Sequence, residues 1–260
     1  MEPSERQEAA DALFAAERQV SPIAPLTDRW PAMTAADAYA VQRLNVERRL
    51  AGGRRVRGHK VGLSSPVMQQ MMGVDQPDYG HLLDDMFVFE GTAVDTATLC
   101  TPRVEVEVGF VLAGPIVGPG AHAGDVLRAT AFVVPAIEII DSRIVDWKIR
   151  LADTIADNAS SAKLVLGGRA TRIEDVDLRR LGGVLSVNGE VVDSGAAGAV
   201  LGNPVTSVAW LANVLAGFGV ALEAGDVVLP GSFTRAVDVA PGDVVEARFD
   251  HLGDVSVRFR

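Results

Sequence analysis

Apolar positions recur along this chain with two periods, and the change from one to the other divides it. Between about Ser4 and Val20, residues Ala9, Ala10, Leu13, Phe14 and Val20 form a weak apolar stripe at helical spacing among charged neighbours. Pro22 and Pro25 lie just beyond and end the helix so predicted. A second helix is predicted from Thr34-Ala-Ala-Asp37, where hydroxyl and carboxylate stand at capping-box spacing, through Tyr39, Val41, Leu44, Val46 and Leu50 to a stop at Gly52-Gly53. Residues 1–53 are expected to form an N-terminal helical cap, and residues 54–260 one structural unit.

From Arg54 onward the period shortens to two. Strands are predicted at Arg54–Leu63, at about Thr92–Val94, at Val104–Leu112 and at Ala131–Ile140. Asn188-Gly189 marks a hairpin turn, and the C-terminal part reads as strand and turn around Asp226–Leu229, Pro241–Phe249 and Val255–Phe259. Two helices interrupt this body: a short apolar one over Val67–Met72 ended by Gly73, its methionines serving the core, and one over Pro204–Phe218 capped by Asn203. Gly114–Gly124 is expected to be a loop with a solvated His122, and the polar stretch Asp141–Gly167 to supply solvated caps and turns. The class is α+β.

Chemistry concentrates on two of the strands. Alternation puts Glu105 and Glu107 on one face and Val104, Val106 and Val108 on the other. Two adjacent carboxylates repel, so the pair needs water, a cation or a bound metal; alone it reads as a wet outer face. Glu138 changes that reading, because Val133, Val134, Ile137, Ile139 and Ile140 around it fall on both faces, as in a strand covered on both sides. A lone carboxylate buried there is costly. Three carboxylates on two strands make an all-oxygen site for a hard cation, magnesium or manganese. Lys60, between Gly58 and Gly62, has little side-chain bulk around it and indicates close backbone approach, although by residue type alone it reads as an exposed lysine.

Composition narrows the rest. The chain has 260 residues, 48% of them hydrophobic and 22% charged, enough to bury a sizeable core. A net charge of −10 argues against nucleic acid or an anionic membrane as partner, and an acidic substrate would need local positive charge at its site. Cys100 is the only cysteine, read as a bystander thiol, which excludes an intramolecular disulfide and a cysteine-rich metal site. The acidic N-terminus lacks a signal core and no apolar run approaches the roughly 18 residues of a membrane span, so a cytoplasmic location is expected.

Several ordered motifs carry a resemblance: Gly58-His-Lys60-Val-Gly-Leu-Ser, Pro77-Asp78-Tyr-Gly-His-Leu-Leu-Asp-Asp, Arg103-Val-Glu-Val-Glu-Val-Gly, Ile137-Glu138-Ile-Ile-Asp-Ser-Arg143, Asp157-Asn-Ala-Ser-Ser161 and Gly242-Asp-Val-Val-Glu246. From about Asp11 to Phe259 the chain resembles the 2-keto-4-pentenoate (2-hydroxypenta-2,4-dienoate) hydratases, which belong with the 4-oxalocrotonate decarboxylases to the fumarylacetoacetate hydrolase superfamily. The resemblance implies a mixed β-roll or barrel with flanking helices, and a homo-oligomer, often a pentamer or decamer. It also implies Mg2+ or Mn2+ held at Glu105, Glu107 and Glu138. The reaction implied is addition of water to 2-hydroxypenta-2,4-dienoate, giving 4-hydroxy-2-oxopentanoate, in meta-cleavage catabolism of aromatic or steroid rings. Lys60 matches the active-site lysine, for proton transfer, and Asp78 an active-site carboxylate. Ser160 matches a substrate-contacting hydroxyl, with Ser161 next in line, and Ser232 and Thr234 sit in a loop that borders the pocket in related enzymes.

The motifs leave alternatives open. A 4-oxalocrotonate (2-oxo-3-hexenedioate) decarboxylase uses the same core. A 2-oxohept-4-ene-1,7-dioate hydratase would need a basic group for the distal carboxylate, with Arg235 the candidate. Hydrolysis of an acylpyruvate would need a His-Glu dyad, a pattern that His59 and His81 do not fit. A silent partner subunit of a pathway decarboxylase or aldolase is opposed by the intact set of Lys60 and three glutamates. Ala162-Lys163, after the serines, departs from the family's usual apolar residues.

Overall fold

The computed structural model describes residues 1–66, 69–70, 74 and 76–260. The expected Val67–Met72 helix with its Gly73 stop lies, but for Gln69 and Gln70, outside the described residues.

The N-terminal part forms α1 (Pro3–Gln19), a short α2 (Leu26–Arg29) and α3 (Ala35–Ala51). The capping box at α3 is present: Asp37 N donates to Thr34 Oγ1 at 3.2 Å and Thr34 N to Asp37 Oδ2 at 3.1 Å. Asp37 also takes the Met1 ammonium at 3.0 Å and Arg6 at 2.7 Å, which ties α1 to α3.

Thirteen strands follow among the described residues: β1 (Val56–Gly62), β2 (Asp78–Leu83), β3 (Phe87–Val88), β4 (Ala93–Val94), β5 (Pro102–Leu112), β6 (Thr130–Asp141), β7 (Ser161–Leu166), β8 (Gly182–Val187), β9 (Glu190–Ala196), β10 (Val227–Leu229), β11 (Val237–Asp238), β12 (Val244–Phe249) and β13 (Gly253–Phe259). One mixed sheet runs β2-β1-β10-β5-β6-β7-β3, with β11 also on β5; a second runs β4-β13-β12-β8-β9. The β8–β9 hairpin turns at Asn188-Gly189, both with positive φ, as expected.

The core lies between these layers. Val104, Val106 and Val108 of β5 and Ile137 and Ile139 of β6 point into one apolar cluster with Val245, Val255 and Val257 of the second sheet and Ala9, Leu13 and Tyr39 of the helices. Each such valine stabilises the fold by about 1.5–3 kcal/mol. That inward face forces Glu105, Glu107 and Glu138 onto the opposite face of the same two strands.

The helix Pro204–Ala216 is capped by Asn203, whose Oδ1 accepts from Val205 N at 3.0 Å. The stretch Ala197–Ala216 is apolar enough to pass for a membrane span by composition, but it is broken between Ala199 and Pro204 and half of it is buried within the fold.

The stretch Asp141–Gly167 departs from expectation. Instead of solvated turns it holds a helix, Leu151–Ala156, and the sheet strand β7. Its buried carboxylates each have a partner. Asp141 accepts from Cys100 N and Thr101 N at 2.9 and 2.6 Å, Asp153 from Thr27 N and Oγ1 at 2.9 and 2.7 Å, and Asp157 from Arg143 Nε at 2.5 Å. His122, in contrast, is solvated as expected. Its loop gives way to a short helix, Ala123–Ala129, missed in the sequence.

Candidate active site and metal centre

β5 and β6 pair antiparallel with Glu105 directly opposite Glu138, while Glu107 stands two residues along from Glu105 on the same face. One carboxylate oxygen from each of the three can be chosen so that all lie within 4.8 Å of one another. Glu107 and Glu138 are fully buried, and the Glu105 residue keeps some exposure.

Few neighbours compensate these charges. Glu107 Oε2 accepts Gly231 N–H at 2.8 Å, and Ser161 Oγ donates to Glu138 Oε1 at 3.3 Å. Glu107 Oε1 is buried without a hydrogen-bond partner, and Glu138 Oε2 faces only the Lys60 ammonium. Burial first, then mutual repulsion, pushes Glu105 up to about 7 and holds Glu107 well above the usual carboxylate range, against the pull of Lys60. Glu138 is raised as well, chiefly by burial. An all-oxygen set of three carboxylates faced by a single ammonium, with one orphaned buried oxygen, fits a hard divalent cation, whose charge would hold all three groups ionised.

Lys60 reaches this cluster from β1. Its Nζ lies 3.3 Å from Glu138 Oε2 and donates to the Ala159 carbonyl at 3.0 Å. Burial disfavours the ammonium, but Glu138, Asp78, Glu105 and Glu107 outweigh it and raise the lysine above its ordinary value. The glycines noted around Lys60 have a steric reason. A Cβ on Gly58 would fall 1.8 Å from Val227 O; one on Gly62 would fall 2.1 Å from Asp78 Oδ1 and 3.2 Å from Lys60 Nζ. Lys60 Nζ and Asp78 Oδ1 thus share the space above Gly62. Asp78, opposite Gly62 in the β1–β2 register, is buried; its Oδ2 accepts from Thr154 Oγ1 at 2.6 Å and its Oδ1 has no partner.

The remaining candidates divide. Ser160 is buried with its hydroxyl unpartnered, whereas Ser161 is engaged with Glu138. The Gly231-Ser-Phe-Thr loop is tied to the cluster through Gly231 N–H, but the Ser232 and Thr234 hydroxyls lie 3.3 Å apart within their own turn, Ser232 Oγ donating to Thr234 O at 3.0 Å. Lys163 donates to Asp85 O at 2.8 Å, away from the cluster. Arg235 is exposed, with its backbone N and Nε both on Asp193. His59 and His81 pair in register beside Lys60 and Gly80, so alternation turns them to the other face, their rings 4.9 Å apart.

Sequence reasoning missed Thr154, the Gly231 amide, the Ala159 carbonyl and the buried Arg143–Asp157 pair. The motif Ile137-Glu138-Ile-Ile-Asp-Ser-Arg143 held Arg143, yet nothing local joins it to Asp157; two of the others act through backbone atoms that carry no residue signature.

This geometry is a three-carboxylate cluster able to hold a divalent cation, with an adjacent buried lysine, on a mixed β-roll. The fumarylacetoacetate (FAA) hydrolase C-terminal family model matches residues 60–260, and the chain belongs to the fumarylacetoacetate hydrolase family. It is 44% identical over 259 residues to the 2-keto-4-pentenoate hydratase of Paraburkholderia xenovorans, covering 100% of this chain and 96% of that one. It is 46% identical over 244 residues to a 4-oxalocrotonate decarboxylase of Pseudomonas putida, covering 94% and 92%. Among solved structures, 4-oxalocrotonate decarboxylase from Pseudomonas putida G7, complexed with magnesium and adipate, matches with a TM-score of 0.96 at 44% identity, covering 100% of this chain and 99% of that one.

Proposed function

We propose that this chain is a divalent-metal-dependent hydro-lyase that adds water to 2-hydroxypenta-2,4-dienoate to give 4-hydroxy-2-oxopentanoate, a step in catabolism of aromatic or steroid rings. The observation that carries this reading is the cluster of Glu105, Glu107 and Glu138 with the Lys60 ammonium 3.3 Å from Glu138, in a chain 44% identical along its whole length to a hydratase.

Mg2+ or Mn2+ held by the three glutamates would supply Lewis acidity where negative charge develops on the substrate's 2-oxygen. Lys60, kept protonated by its acidic neighbours, holds the substrate carboxylate and delivers a proton as the dienol becomes a ketone. Asp78 Oδ1, unpartnered beside it, takes the proton up or orients the water. Ser160 Oγ is a free hydroxyl for the substrate, with Ser161, Ser232 and Thr234 as outer contacts.

Loss of dienol ultraviolet absorbance on mixing purified protein with 2-hydroxypenta-2,4-dienoate and magnesium, abolished by excess chelator and yielding the hydroxylated keto acid, is the expected result. No loss in either condition sinks the reading.

Decarboxylation of 2-oxo-3-hexenedioate is the second reading, favoured by the 46% identity to a decarboxylase, and carbon dioxide release from that diacid is its test. Arg235, the cation considered for a distal carboxylate, is exposed and bound to Asp193, which supports the monocarboxylate. We place the enzyme in the cytoplasm as a homo-oligomer, with residues 1–53 capping the unit 54–260 and a pathway decarboxylase or aldolase as its partner.

A further inference from the structure

Three successive residues with side chains, Asn158, Ala159 and Ser160, have φ of 54°, 52° and 55°. L-residues other than glycine enter the left-handed region singly, because Cβ crowds the following carbonyl, with Asn the most tolerant. A run of three persists only where the surroundings over-determine it.

The surroundings do so here. Asn158 Oδ1 accepts His81 N–H at 2.7 Å and its Nδ2 donates to the His81 carbonyl at 2.9 Å, so one amide side chain clamps both main-chain polar groups of a β2 residue. Gly80 leaves the room for this, since a Cβ there would lie 2.4 Å from Asn158 O. Behind the turn, Ser160 N donates to Asp157 O at 3.0 Å, and Asp157 is gripped by Arg143 N and Nε at 2.9 and 2.5 Å.

The turn delivers two groups to the site. The Ala159 carbonyl receives Lys60 Nζ at 3.0 Å, and the Ser160 hydroxyl is left buried without a partner. A carbonyl only accepts, so one of the three ammonium hydrogens is committed to Ala159 and the other two are directed elsewhere.

We propose that Asn158 is a positioning residue for Lys60: by clamping His81 it holds the left-handed turn whose Ala159 carbonyl orients the ammonium. The kinetic consequence rests on the hydratase reading above; the geometric one does not.

The test compares the wild type with Asn158→Ala, and with Asn158→Gly, which removes the clamp while keeping the left-handed conformation accessible should the alanine variant fail to fold. In the folded variant kcat for the dienoate is expected to fall roughly 10–100-fold, with KM and Mn2+ affinity changed no more than about threefold. Combined with Lys60→Ala, the same substitution is expected to cost nothing further, because it acts through Lys60. Independently of turnover, acetic anhydride should modify Lys60 faster in the metal-free variant than in the metal-free wild type, read by mass spectrometry.

Wild-type kcat in a folded variant, a loss that persists in full without Lys60, or unchanged labelling of Lys60 each overturns the proposal. If the wild type does not turn over the dienoate, the hydratase reading falls and the labelling alone decides the role of Asn158.

Discussion

Glu105 and Glu138 stand directly opposite one another across β5 and β6, and the single ammonium of Lys60, 3.3 Å from Glu138, is set against three carboxylates. The imbalance is built into the register, since any shift by one residue would send Glu105 into the valine core.

Glu105→Gln keeps the shape and removes one charge from this excess. Turnover is expected to fall roughly 10²-fold or more as the metal's charge stabilisation, several kcal/mol, is lost with the ligand. Mn2+ titration followed by paramagnetic resonance should show weaker binding, and circular dichroism an intact fold. Unchanged activity would remove the metal from this face.

Metal addition should stabilise the folded chain. At about 100 times its Kd, Mg2+ contributes about 2.7 kcal/mol, roughly 5–10 °C in Tm for a chain of this size. Thermal melts in magnesium and in chelator measure it, and Glu107→Gln should flatten the difference; a shift of full size in that variant would put the ion elsewhere.

Gly62→Ala tests the space shared by Lys60 and Asp78. The added Cβ would stand 2.1 Å from Asp78 Oδ1, so either the carboxylate or β1 must move. Overpacking of this kind costs about 1–3 kcal/mol. Turnover should drop while Mn2+ affinity holds, and a variant with wild-type kcat would show that Asp78 need not sit beside Lys60.

His81 makes stability depend on pH. Burial, and then the charge of Arg43, depress it from 6.5 to about 4. The fold favours the neutral ring, so this contribution is complete above pH 6.5 and is lost as pH falls towards 4. Urea unfolding in chelator between pH 7 and pH 4 should therefore lose less stability in His81→Gln than in the wild type. Parallel losses would assign the acid sensitivity to other groups.

The separation of the three glutamates from the core was legible because it depends on alternation alone: two glutamates two apart, and a third inside an apolar run. The glycines around Lys60 were legible as close approach, though not what approached. What stayed hidden were polar groups satisfied from afar. Asp153 is bonded by Thr27, 126 positions away, and Asp78 by Thr154, 76 positions away. Composition reads such residues as solvent-loving, and only the packed chain supplies the partners that let them go inside. The same gap hid the turn at Asn158, whose clamp is a main-chain contact with β2.

The amide of Gly231 holds Glu107 through the main chain, and the position has no room for a side chain: its φ is 124° and a Cβ there would stand 1.9 Å from Ser64 Oγ. The Gly231–Thr234 loop can therefore vary in composition, at Ser232 and Thr234, while its length stays tied to the glutamate it holds. Exchanging those two side chains leaves the Gly231 amide in place, whereas grafting a longer or shorter loop would release Glu107.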